Sequence, residues 1–119
     1  MKKTMVIAVP LAIIIGWMHI LLVTLQVKYF DAVNDGDVEK VSWSLDHGVS
    51  INVEDKYGNT GLHIAALKGH VHLVELFLKN GADQNVREGK LNHTFLDIAV
   101  LEGHDEIVAM LTPVTNKKN

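Results

Sequence analysis

The chain has 119 residues, a net charge of −3 and no cysteine. That length holds one small domain and one accessory segment, and with no cysteine there is no disulfide argument from which to read a redox compartment. From Lys28 onward nine Lys and Arg face fourteen Asp and Glu, a net of −5. This excludes the basic face a nucleic-acid binder would carry.

The first element is Met5 to Val27, MVIAVPLAIIIGWMHILLVTLQV, 23 positions without a formal charge. As a helix it measures about 34 Å, against a hydrocarbon core of ~30 Å. Pro10 falls in its second turn, where a mild kink is tolerated. Lys2 and Lys3 precede it, the layout of either a cleaved export signal or an uncleaved anchor. Cleavage needs small residues one and three positions before the cut. Cuts after Leu25, Tyr29 or Ala32 would place Val23, Val27 or Phe30 at the second of those positions. Residues 1–27 are therefore read as a single-pass membrane anchor, with release of a soluble exported protein by cleavage as the alternative. Lys2 and Lys3 outweigh Lys28, which Asp31, Asp35 and Asp37 follow, so the positive-inside rule puts the rest of the chain outside the cytoplasm. In a bacterium that means the periplasm, and the Met-Lys-Lys-Thr start is similar to bacterial export signals.

Within this helix Ala8, Ala12, Gly16, His19 and Gln26 fall on one ~80° face. Small residues four apart let a second helix pack closely, and a histidine in mid-bilayer prefers a partner or a polar cavity to lipid. A helix–helix contact is expected along Ala8, Ala12, Gly16 and His19, in a homodimer or with another membrane protein.

The remainder is periodic. Gly36, Gly69 and Gly103 are 33 and 34 residues apart, and the columns around them match. Ala32, Ala65 and Ala99 precede the glycine by four; Tyr29, Leu62 and Leu96 by seven; Val41, Val74 and Val108 follow it by five. Such a period marks stacked units, none able to bury its apolar face alone. The middle unit, 55–87, reads most clearly. Thr60 caps a short helix through Leu62, Ile64, Ala65 and Ala66 to Lys68, and Gly69 ends it. A second helix carries Val71, Leu73, Val74, Leu76, Phe77 and Leu78, and Asn80-Gly81 closes it.

Thr60, Leu62, His63, Ala65, Ala66, Gly69, His70, Gly81, Ala82, Asp83 and Asn85 carry a pattern that resembles the ankyrin repeat. The resemblance spans 28–112 as units 28–54, 55–87 and 88–112, followed by a polar tail, 113–119. It implies an all-α solenoid of helix–turn–helix units joined by short hairpin loops, here preceded by one transmembrane helix. Departures from the pattern are specific. Gly61 stands where the family carries proline, so Gly61→Pro is expected to raise the melting temperature by presetting φ. Phe95 and Asp97 replace proline and histidine in the third unit, whose hairpin is one residue longer. Three units is near the minimum for such a stack, so modest stability is expected.

Seven histidines raise the question of a metal. His70 and His72 point about 200° apart on a helix and cannot chelate together, and no two-histidine-plus-carboxylate spacing occurs. The resemblance gives His63 a hydrogen-bonding role between units. Asp31, Asp35 and Asp37 fail the calcium-loop template, with Val33 and Ser42 at ligand positions. There is no cysteine, no Gly-x-Ser-x-Gly and no phosphate loop, so neither catalysis nor a cofactor is expected. The resemblance implies a protein partner held by hairpin tips and first-helix surface. Residue by residue this names Lys56, Tyr57, Asn59, Leu67 and Lys68 in the middle unit, and Lys90, Leu91, Asn92 and His93, with Leu101 and Glu102, in the third. A small regulatory subunit acting through its membrane helix is a further alternative.

Overall fold

The structure, a computed structural model, describes residues 9–111. Among the described residues are six helices and no strand: α1 Leu11–Asp35, α2 Val38–Asp46, α3 Gly61–Lys68, α4 Val71–Lys79, α5 Phe95–Leu101 and α6 Asp105–Leu111. They pair as α1/α2, α3/α4 and α5/α6, so the all-helical stack of three units is as expected.

Pro10 does not kink the first helix; it begins it. With φ −54° Pro10 sits at the N-cap, where a missing N–H removes no intrahelical bond. From Leu11 the helix runs without a break through the apolar stretch, past Lys28, and on to Asp35. Gly36, at φ 74°, then turns the chain, and the Asp37 N–H donates to the Ala32 carbonyl at 2.9 Å. The Asp37 carboxylate accepts the Lys40 N–H at 3.0 Å and starts α2. Tyr29, Ala32 and Val33, at the end of this one helix, are buried. The apolar stretch and the first unit are thus continuous.

The later first helices are closed by reciprocal caps. Thr60 accepts from the His63 N–H while His63 Nδ1 accepts the Thr60 N–H at 3.2 Å. That leaves the proton on Nε2, which donates to the Val86 carbonyl at 2.9 Å and so reaches the next unit. In the third unit Asp97 takes the histidine's place, its carboxylate accepting the Thr94 N–H at 3.0 Å.

The column pattern translates into packing. Ala32, Ala65 and Ala99 are buried, as are Val41, Val74, Leu73, Phe77 and Ile107. Each large apolar side chain taken from water adds about 1.5–3 kcal/mol. The two interfaces between units repeat one polar contact: His70 Nε2 donates to the Asn34 carbonyl at 2.9 Å, and His104 Nε2 to the Leu67 carbonyl at 3.0 Å. Both imidazoles lie over the preceding turn glycine. A Cβ on Gly36 would sit 2.9 Å from the His70 ring, and one on Gly69 2.7 Å from that of His104.

Gly61 overturns an expectation. A Cβ there would collide with the Tyr29 hydroxyl and lie 2.8 Å from the Phe77 ring. Tyr29 occupies a column that holds leucine in the other units, and its ring fills the space a proline would use. Gly61→Pro is therefore destabilising. The Tyr29 hydroxyl is fully buried and has no hydrogen-bond partner, and burial pushes its pKa well above the ordinary tyrosine value.

Candidate interaction surface

Two hairpins project ahead of α3 and α5. The first is tied by the Asp55 N–H donating to the Asn59 carbonyl at 2.8 Å, the second by the Glu88 N–H donating to the His93 carbonyl at 2.9 Å. The second is one residue longer, as the sequence indicates. Each is organised around a carboxylate. Asp55 accepts the Tyr57 and Asn59 N–H groups at 2.8 and 2.9 Å. Glu88 accepts those of Lys90 and Leu91 at 2.9 and 2.5 Å. Backbone donors, that of Lys90 first, hold the Glu88 pKa below the usual carboxylate range. The turn needs positive φ, supplied by Gly58 at 80° and, in the longer loop, by Asn92 at 60°. Asparagine tolerates that region better than other side-chain-bearing residues. The hairpins pack edge to edge, since a Cβ on Gly58 would lie 2.8 Å from the Gly89 nitrogen.

This geometry divides the residues the resemblance names. Asn59, Asn92 and His93 build the loops: Asn59 Nδ2 donates to Asp55 at 3.4 Å, the Asn92 carbonyl accepts from Arg87 at 2.8 Å, and His93 is half-buried. Lys56, Tyr57, Lys90 and Leu91 stand outward, Tyr57 61% and Leu91 64% exposed, with Lys56 Nζ 5.0 Å from the Tyr57 ring centroid. Leu67 and Lys68 lie on the open face of α3, and Leu101 and Glu102 hold the same columns on α5. Leu67 and Leu101 are 48% and 67% exposed. On α1, Ala12, Gly16 and His19 are exposed; Ala8 lies outside the described residues.

Sequence reasoning missed Trp43. On α2 it stacks on His47 at a centroid distance of 3.8 Å and borders an open cleft of about 400 Å³ with Lys28, Asp31 and Ala32. A tryptophan in a terminal unit, at a position the repeat pattern leaves free, was the available signal. Among the described residues no group of three or more His, Asp or Glu converges as a metal site.

Comparison with known proteins places this arrangement. The chain is similar to ankyrin repeat-containing protein F37A4.4 of Caenorhabditis elegans, 33% identical over 78 residues, 64% of this chain and 7% of that one. It is similar to the serine/threonine-protein kinase TNNI3K of Mus musculus, 41% identical over 84 residues, 63% of this chain and 10% of the kinase. Over a shorter stretch it is similar to inversin of Danio rerio, 51% identical over 45 residues, 38% of this chain and 4% of inversin. The chain thus spans a small part of the curated relatives it matches, and what is shared with the kinase is a non-catalytic interaction fold. The family description "Ankyrin repeats (3 copies)" matches residues 29–119, and the chain belongs to the ankyrin-repeat family.

Proposed function

We propose that this chain is a membrane-anchored docking module that binds a protein partner on its hairpin and first-helix side. Ankyrin repeats are protein–protein interaction modules, and the observation that carries the finer reading is the open apolar column of Leu67 and Leu101. Both side chains are open to solvent, and large exposed apolar groups side by side suit a partner's apolar anchors. Lys56, Tyr57, Lys90 and Leu91 border that surface on the hairpin side, with Lys68 at its other edge. Asn59, Asn92 and His93 shape it. The partner is a protein; the acidic net charge gives nucleic acid no binding face.

Anchoring is supported by α1, which is long and apolar enough to cross a membrane and has none of its apolar window buried. A signal sequence meets the same description. Retention is favoured because the helix continues unbroken into the buried Tyr29 and Ala32, leaving no extended segment for a peptidase. The exposed line of Ala12, Gly16 and His19 supports a contact with a second membrane helix, in a homodimer or a larger complex. The Lys2 and Lys3 bias supports repeats outside the cytoplasm.

The test is affinity capture from membranes with the full chain and with Leu67→Ser/Leu101→Ser. Both side chains are exposed, so the fold is expected to survive the two substitutions. A partner recovered with the parent and lost with the variant supports the reading; equal recovery sinks it. Replacing residues 1–27 with an unrelated anchor separates the repeats from the helix as the seat of binding.

A further inference from the structure

We propose that the two hairpin tips, Lys56-Tyr57 and Lys90-Leu91, rest on the headgroup layer of the same membrane that α1 crosses. The inference rests on the reading of α1 as a membrane span.

It begins with register. The contacts His70 to Asn34 and His104 to Leu67 are one contact repeated at both interfaces, 2.9 and 3.0 Å long. At the other end of the same helices, Gly61 at the start of α3 lies against Tyr29. The last turns of α1 therefore lie alongside α3 in the same direction, and α3 alongside α5. In that register Val27, the last residue of the apolar run, holds the column of the caps Thr60 and Thr94. The level at which α1 leaves hydrocarbon is the level at which both hairpins emerge.

Tyr57 is three positions before Thr60, a reach of at most ~10 Å. The headgroup layer adds about 5–8 Å to each side of the hydrocarbon.

The chemistry of the tips suits that place. The Asp55 and Glu88 carboxylates are turned inward onto their own loop amides. Lys56, Lys90, Tyr57 and Leu91 are left facing out, with Glu54 and Arg87 also exposed. Tyrosine and lysine are interfacial residues, an apolar body ending in a polar group. The docking surface is then divided: tips for lipid, the Leu67–Leu101 column for protein.

The absence of cysteine makes the test direct. Single variants Tyr57→Cys, Leu91→Cys, Lys68→Cys and Leu21→Cys of the full chain are labelled with a small fluorophore. They are reconstituted in phosphatidylcholine–phosphatidylserine vesicles bearing nitroxide at the headgroup or on the acyl chain. Leu21 reports the span, and Lys68 the far end of α3. The expected result is acyl-chain quenching at 21, and headgroup quenching at 57 and 91 at least threefold stronger than at 68. Quenching at 21 with 57 and 91 no different from 68 overturns the proposal and leaves the span intact. No acyl-chain quenching at 21 overturns the span reading and this proposal together.

Discussion

The middle and third units occupy equivalent columns yet solve the same packing problem with opposite choices. At the first interface a large Tyr29 meets Gly61; at the second, the smaller Leu62 stands in Tyr29's column and Phe95 in Gly61's, both buried. The bulk shifts from the earlier unit's side of the boundary to the later unit's, and each side is shaped to what faces it. The units differ again in one shared column. Ala66 is fully buried while Val100 is 58% exposed. His63 caps its own helix and bridges to Val86 with its other nitrogen; Asp97 only caps. A single repeat pattern therefore carries different constraints in different units.

The largest effect should come from breaking the fit between Tyr29 and Gly61. Gly61→Pro forces ring atoms into Tyr29 and Phe77, and is expected to lose about 3 kcal/mol in urea unfolding. Tyr29→Leu in the same chain should recover most of that loss. A Gly61→Pro protein that melts no lower than the parent would show that Tyr29 does not hold the space.

Ala66→Val against Val100→Ala comes next. Adding two methyl groups at a covered interface should cost about 2 kcal/mol, while trimming the uncovered valine should stay within about 0.5 kcal/mol. Equal effects in calorimetry would mean that something covers the last unit in solution.

His63→Ala should cost about 2 kcal/mol, since it also strands the Val86 carbonyl. Asp97→Ala should cost less, since it removes a cap partner and strands no carbonyl of another unit. The ranking, measured by chemical unfolding, is the decisive part.

The smallest effect concerns acid. Glu88 and Asp97 have lowered pKa values, caused first by backbone donors at Lys90 and Thr94. Groups with depressed folded pKa values contribute stability that is complete above their unfolded values, about 4. It is lost as pH falls from there through the folded values. The third unit should therefore loosen below about pH 4, and hydrogen exchange should show α5 opening before α3. Glu88→Gln should flatten that dependence, and an unchanged acid profile would remove Glu88 from the account.

Much of this architecture could be read from the chain. The glycine and alanine columns located the turns between paired helices and the first-helix contacts, and Thr60 announced its cap. What could not be read depended on neighbours distant in sequence. Nothing local to Gly61 says that Tyr29 fills its space, and a missing proline looks like a defect until both residues are placed. Pro10 was ambiguous because a proline is tolerated near the start of a helix in two ways, as a kink or as a beginning. The partner-side residues were readable only as columns. That Asn59 and the His93 backbone are tied into their own loops follows from the Asp55 and Glu88 carboxylates, whose inward turn no spacing reveals.

The unbroken run from Leu11 to Asp35 has a mechanical consequence. With no swivel between the shaft and the body it carries, rotation of the shaft about its long axis becomes a sideways sweep of the units, as in a crank. One inserted residue near Thr24 would turn the body by about 100°, and two would turn it to nearly the opposite side. The direction in which Leu67 and Leu101 look out is then fixed by helical phase.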